Sequence, residues 1–418
     1  MRMKFNKSRL LLVSAVSLLA AGVLTACGTA TTDFVYVACS KAAGPYSYGE
    51  IDVFEINAIS GAMRQIPTSP FPSGGRNPVA EAVSSDYANL YVVNQNDNSI
   101  VQFGIGSDGK LYPQSTVNTP GSLPMAVAVN GSNLFIVDTY KPLASCSSAE
   151  PCSGSVGVFQ IADAKSTTPG EPGPTPLTNP SNGSDYWPLT LPSSPNDVIV
   201  PTAINVLKSG SELFVTAYDS SVTPNVGYIF GFTVDSSGVL TPLNGGVPHD
   251  MGVGATGLGV HPSAIASDSS GNVFVTDSIN GLVVSYSAGS GGLTRLSDTP
   301  TGDQPSAIVV DSSYSVAYVA NAQDDNVEAY SISTTGSLSF LGGSPTPVTY
   351  ATGLQPVAIG IDPSKSHFLF TVNFLGNDIS DFELSPTAGT LVNTQHSPYG
   401  SNAQPVAVVA IPHGSIAK

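Results

Sequence analysis

From Phe34 onward, apolar and polar residues alternate in short runs separated by clusters of Gly, Asn, Asp, Ser and Pro. Period-two alternation puts successive side chains on opposite faces of an extended strand, and turn residues at regular intervals make consecutive strands antiparallel neighbours. One phrase punctuates the series: Pro, any residue, Ala, then an apolar run, starting at Pro78, Pro124, Pro201, Pro262, Pro305, Pro356 and Pro405. After each of the first six comes a polar turn and a second run: LYVVN from Leu90, LFIVD from Leu134, LFVTA from Leu213, VFVTD from Val273, AYVAN from Ala317 and LFTVN from Leu369. Third runs such as IVQFGI, VGVFQI, VVSYSA and VEAYSI alternate, and a weaker fourth follows a Gly-containing turn, as in GGLTRL and GSLSFL.

The seven phrases are spaced by 46, 77, 61, 43, 51 and 49 residues, room for four strands and their turns in each unit. Four-stranded units repeated radially build a β-propeller, and a propeller must close on itself to protect its sheet edges. The chain ends fit that demand. FVYVAC from Phe34, IDVFEI from Ile51 and AMRQI from Ala62 supply strands two to four with no first strand, whereas Pro405 to Ile411 supplies a first strand with nothing after it. The expectation is an all-β, seven-bladed β-propeller over residues 34–413, with its N- and C-terminal strands paired in one blade and a short tail at 414–418.

The second-strand phrases YVVN, YVAN and FTVN, the third strands, and tails such as GSLSFLGGSPTPV from Gly336 and PSSPND from Pro192 resemble the lactonase-like seven-bladed propellers and related propellers with a Tyr-Val-Thr-Asn-type repeat. The resemblance covers nearly all of Phe34 to Pro412. It implies the fold and, for some members, hydrolysis of a sugar lactone such as 6-phosphogluconolactone. No compact cluster of His, Arg and Glu like that of the family's enzymes is visible, so no catalytic residue carries over by resemblance.

The first nine residues carry Arg2, Lys4, Lys7 and Arg9, and Leu10 to Ala26 is almost unbroken apolar sequence. This is the pattern of a secretory signal, and it is shorter than the roughly 20 residues of a membrane-spanning helix. Leu24-Thr25-Ala26-Cys27 resembles the lipobox of bacterial lipoproteins, which implies a signal peptide over 1–26, lipidation of Cys27 and a tether over 27–33. Gly28 in the next position leans, by the same resemblance, toward the outer membrane. Removing the signal leaves ten basic residues against 30 acidic ones. Nucleic acid is therefore excluded as a partner, and a phosphorylated substrate is disfavoured. An extracytoplasmic setting permits disulfides, and Cys146 and Cys152 in SCSSAEPCSG are spaced to clip one loop. Cys39, at the end of an alternating run, is expected to be a small buried residue.

In each antiparallel unit the two-to-three and four-to-next-one connections fall on one face, the one-to-two and three-to-four turns on the other. The long connections, Tyr140 to Ser155, Lys165 to Asn196, Asp219 to Asn225, His249 to Gly259 and Pro345 to Leu354, all fall on the first face, which marks it for binding. Its axial mouth is expected to be ringed by the residues before each repeat proline, among them Asn77, His261, Gln304, Gln355 and Gln404, and by second-strand ends, among them Asn94, Asp138, Asp277, Asn321 and Asn373. Such amides can bind a sugar-like ligand, or simply satisfy strand ends.

For catalysis, His261 and Asp277 share one hairpin, with Asp277 expected opposite about Ser263 and diagonal to His261, so that the carboxylate could orient an imidazole that activates water. Glu81 interrupts a first strand where other repeats place Val or Ile; Arg76, nearer the mouth, could pair with it or polarise a carbonyl. Tyr186 and Trp187, within the Pro- and Gly-rich stretch 165–196, could stack on a sugar ring or belong to an ordinary surface loop. No G-x-S-x-G, H-E-x-x-H or nucleotide-binding glycine loop occurs, and NQNDNS and NAQDDN are turn chemistry rather than calcium loops, so neither metal nor cofactor is expected. The sequence thus predicts a monomeric, lipid-anchored cell-envelope propeller that hydrolyses a sugar-type lactone, or a non-catalytic one binding a glycan or an envelope protein through its long-loop face.

Overall fold

The computed structural model describes residues 31–412, except 41–47, 58–59, 144, 147–148, 162–172, 253, 255–256, 290, 364–367 and 386–388. Cys27, the signal segment and the tail at 414–418 lie outside the described residues. The strands form seven antiparallel sheets of four or five strands, numbered here as blades 1 to 7 by their first strands: Pro78–Val83, Ser122–Asn130, Ile199–Val206, Pro262–Ser267, Pro305–Asp311, Pro356–Ile361 and Pro405–Pro412. These first strands touch one another in that order, and the seventh touches the first, so they form a closed ring around the axis. Blade 7 is the clasp: its first strand pairs with Thr31–Cys39, Phe34 opposite Ile411 and Tyr36 opposite Val409. The N-terminal strand begins at Thr31 rather than the expected Phe34.

The core is divided among the seams. Seven clusters of buried apolar side chains occur, one between each pair of adjacent blades. In blade 1, Leu90 and Val92 face the seam with blade 7, while Tyr91 and Val93 face the seam with blade 2. A strand wedged between two neighbours must be apolar on both faces, which is why the second strands carry unbroken apolar runs where an open sheet would alternate. Asn89–Asn94, Asn272–Asp277, Val316–Asn321 and Phe368–Asn373 are buried at every position.

The repeated Pro-x-Ala phrase is a β-bulge. In all seven blades the proline pairs with the last or near-last residue of the second strand, the middle residue has no partner, and pairing resumes at the alanine. The extra residue bends the start of the strand and increases its local twist. The residue before the proline has positive φ in five blades: Asn77, Leu123, Gln304, Gln355 and Gln404. Three of the expected long loops are partly sheet: Tyr186–Pro188, His249–Gly252 and Val348–Ala351 add short outer segments to the third strands of blades 2, 3 and 5. Cys146 and Cys152 form the expected disulfide within the loop of blade 2, and Cys39 is buried in the seam between blades 6 and 7. Among the described residues no helix is long and apolar enough to cross a membrane.

Candidate functional site

On the long-loop face, two adjoining depressions open between blades 4 and 5. The smaller, about 430 Å³, is lined by His261, Ser263, Ser278, Ile279, Gln304 and the start of the blade 5 first strand. The larger, about 680 Å³, adds Asn280, Leu282, Pro300, Thr301, Asp303 and Gln323. They share Ser278, Ile279 and Gln304 and form one cleft. A more apolar groove of about 270 Å³ runs between blades 2 and 3 along Trp187, Phe230 and Phe232, but no titratable group lines it, so it offers no acid or base.

His261 enters the cleft immediately before the blade 4 proline. Its ring packs against Tyr218 with centroids 4.3 Å apart, and Nδ1 lies 3.4 Å from Ser278 Oγ. The Ser278 hydroxyl donates to the His261 carbonyl at 3.1 Å, so toward Nδ1 its oxygen acts as acceptor. With the hydroxyl donated to the carbonyl, the tautomer carrying hydrogen on Nδ1 completes this contact, and in that tautomer Nε2 is the basic nitrogen. Burial pushes the imidazole below its ordinary value, against the opposing charge of Asp277, and favours the neutral form.

Asp277 does not orient that ring as expected. The bulge at Ser263 sets it opposite Pro262, one residue from the expected register, and its carboxylate is taken up by backbone. Oδ1 accepts from the amides of His261 and Ile279, each at 3.1 Å, and Oδ2 accepts from Asn280 Nδ2 at 2.6 Å. Asp277 therefore fixes where the His261 backbone stands.

The other two catalytic candidates lie elsewhere. Arg76 is exposed and ion-paired with Asp97, whose Oδ2 also accepts from the Arg76 amide at 2.7 Å. It meets neither Glu81 nor the cleft. Glu81 is 8% exposed and sits at the seam of blades 7 and 1, not on an open axis. The nearest donors are the amides of Ala38 and Val409, neither in good hydrogen-bond geometry with a carboxylate oxygen. Burial pushes its pKa up to about 8.

The family model described as "Lactonase, 7-bladed beta-propeller" matches residues 275–407, from the second strand of blade 4 into blade 7. Among solved structures, the periplasmic gluconolactonase PpgL of Pseudomonas aeruginosa is 17% identical with a TM-score of 0.64, over 91% of this chain and 99% of that one. A candidate 6-phosphogluconolactonase from Bacteroides fragilis is 17% identical with a TM-score of 0.63, over 92% and 99%. The fold is the lactonase-type seven-bladed propeller. No curated protein matches the chain. At such identities the likeness carries architecture, and the chemistry of this lactonase-type propeller must be argued from its own residues.

Most of the expected amide ring serves the propeller itself. Asn94, Asp138, Asn321 and Asn373 are fully buried and do not reach an open mouth. Asn94 exchanges hydrogen bonds with Ser73, Asp138 Oδ2 accepts from the Gly121 amide at 2.9 Å, Asn321 donates to Asn326 Oδ1 at 2.8 Å, and Asn373 donates to Asp378 Oδ1 at 2.6 Å. Asn77 donates to Gln95 Oε1 at 3.1 Å. The backbone amides of Leu123, Gln355 and Gln404 are held by Asn98, Asp325 and Asn377 of the preceding blades, at 2.7, 2.7 and 2.8 Å. Those three latch residues have positive φ themselves and occupy equivalent places before third strands. Of the ring, His261 and Gln304 line the cleft. Trp187 is no lid: it is 3% exposed in the seam of blades 2 and 3, with Nε1 donating to the Leu240 carbonyl at 2.9 Å, and Tyr186 is half-buried beside it in the same strand.

The cleft residues that sequence reading did not single out, Ser278, Asn280, Asp303 and Gln323, stand in hairpin tips and blade-to-blade connections. The signal around Ser278, Asn280 and Gln323 is the turn chemistry of DSINGL and NAQDDN, and Asp303 lies in the connection TGDQ before a repeat proline. Among the described residues no group of three or more His, Cys, Asp or Glu could hold a metal ion.

Proposed function

We propose that this lactonase-type propeller is a cell-envelope hydrolase of sugar-type lactones, with the cleft between blades 4 and 5 as its active site and His261 as general base. The observation that carries the reading is the His261 imidazole: half-buried, held neutral, with Nδ1 engaged and Nε2 free to take a proton at the cleft. Nε2 takes a proton from water as the oxygen adds to the lactone carbonyl carbon. The tetrahedral oxyanion then collapses, the ring C–O bond breaks, and the leaving alkoxide takes the proton back from the imidazolium, giving a hydroxy acid. Gln304 lines the same depression and offers it a neutral amide donor.

The lipobox-like end supports an anchored protein. Thr31 starts its strand on the short-turn face, and the four residues back to Cys27 reach at most about 14 Å. Lipid at Cys27 would hold the short-turn face to the bilayer and direct the cleft away from it.

The test is hydrolysis across a panel of sugar lactones, comparing the protein with His261→Ala. Loss of about 10²–10⁴ in kcat supports the mechanism; activity equal to that of the parent removes His261 from it. A second reading, a non-catalytic propeller that binds a glycan or envelope protein, is favoured by one observation. Leu258 beside Ile279 and Leu354 beside Leu375 expose apolar side chains on the same face. Saturable binding without turnover, weakened by Leu354→Asp and Leu375→Asp, would support it.

A further inference from the structure

We infer that Asp303 is a specificity-determining residue of the cleft, selecting uncharged polyhydroxylated lactones and rejecting phosphorylated ones. The inference rests on the lactone-hydrolase reading for the reaction, but its physical basis is the charge of the cleft wall.

Among the described residues, no Lys or Arg lines either depression. A phosphoryl group on a substrate carries close to two negative charges at neutral pH and needs charge-assisted donors, typically Arg or Lys, to leave water. Here it would meet the opposite sign. Asp303 stands on the wall of the larger depression, exposed, in the connection that leads from blade 4 into blade 5. The loop holds its backbone: the Asp303 amide donates to Asp324 Oδ2 at 2.7 Å, and the neighbouring Gly302 amide donates to Glu328 Oε2 at 3.1 Å. Among the described residues the Asp303 carboxylate is bound to no other side chain or amide, so its two oxygens are acceptors for a ligand. Asp324, exposed beside it, adds a second negative charge to the same rim.

The other polar side chains here are neutral. Gln304 and Gln323 are both exposed, and each offers an amide donor and an acceptor to ligand hydroxyls. Ile279, Leu282 and Pro300 supply an apolar wall on which the C–H face of a ring can lie. Acceptor carboxylate, amides and apolar wall together suit a ring bearing hydroxyls and no anion.

The test measures hydrolysis of D-glucono-1,5-lactone and its 6-phosphate, and binding of the non-hydrolysable neutral ring D-gluconolactam and its 6-phosphate, by the purified protein. The expected result is at least a tenfold preference for the unphosphorylated member of each pair, shrinking as salt screens the exposed carboxylates. Asp303→Asn should narrow the preference, and Asp303→Lys should reverse it. Neither substitution removes the backbone amide that the loop uses. Equal or better binding of the phosphorylated ligand, a preference unmoved by Asp303→Lys, or failure of both lactams to bind overturns the inference. A binding preference that follows Asp303 while no lactone is hydrolysed supports the inference and rejects the hydrolase reading. Hydrolysis of both lactones with equal efficiency does the reverse.

Discussion

Replacing Glu81 by Gln removes an ionisation from the seam of blades 7 and 1 and leaves its size almost unchanged. In the folded chain burial pushes the carboxyl up to about 8, from an ordinary value of 4.5. The folded protein therefore keeps a proton that the unfolded chain releases over this window. Stability is greatest below about pH 4.5, falls as the pH rises, and levels off above about pH 8. At 1.36 kcal/mol for each tenfold change in proton activity, the loss reaches about 3 kcal/mol at pH 7 and about 5 kcal/mol above pH 8. Gln carries no such penalty. With an unfolding entropy of about 2 cal/mol/K per residue, 3 kcal/mol corresponds to a rise in Tm of about 4 °C at pH 7. The assay is the melting temperature of parent and Glu81→Gln from pH 5 to pH 8.5, read as the difference between them, because buried Asp138 and Asp381 add pH dependence common to both. The difference should be small at pH 5 and grow toward pH 8. If Glu81→Gln tracks the parent at every pH, or melts lower at pH 8, the carboxyl is ionised and paired in the folded ring and the reasoning is wrong.

Asp138 offers a second carboxylate of this kind: burial pushes it up to about 7, and the equivalent ends of blades 1, 5 and 6 carry Asn94, Asn321 and Asn373. Asp138→Asn should therefore stabilise the protein above pH 7, by about 4 kcal/mol at most, and do little near pH 4, as urea titrations at the two pH values would show. For catalysis, the acid limb of kcat/KM should fall below the ordinary histidine value of 6.5, because burial lowers the His261 pKa, and it should vanish in His261→Ala; a pH–rate profile checks both. Trp187→Ala should cost about 3–5 kcal/mol in thermal or urea unfolding while leaving kcat/KM near that of the parent, since the side chain fills a seam rather than a site.

The repeat made the blades and their closure legible, because strand count, turn spacing and the split ends all had to satisfy one ring. It also concealed two things. The Pro-x-Ala phrase looked like an ordinary strand start, yet it encodes a bulge, and that single unpaired residue moved Asp277 out of the expected register with His261. Second-strand ends looked like a polar mouth, because a buried Asn that bonds within its own blade has the same letter as one that faces a ligand. The latches at Asn98, Asp325 and Asn377 cross from one blade to the next, and local pattern says nothing about which backbone amide a side chain will meet some 25 to 30 residues later. The cleft was hidden for the same reason: it is made by two hairpin tips that become neighbours only when the ring is assembled.

The clasp has a consequence for the order in which this chain becomes a protein. Tyr36 cannot meet Val409, nor Phe34 meet Ile411, until the strand Pro405–Pro412 is available, and until then the N-terminal strand presents a bare edge. Six blades can gather in sequence, but the circle stays unlocked. A polypeptide built this way is slow to commit to its final form and remains an open string of hairpins while it is being made, locking when the strand Pro405–Pro412 arrives.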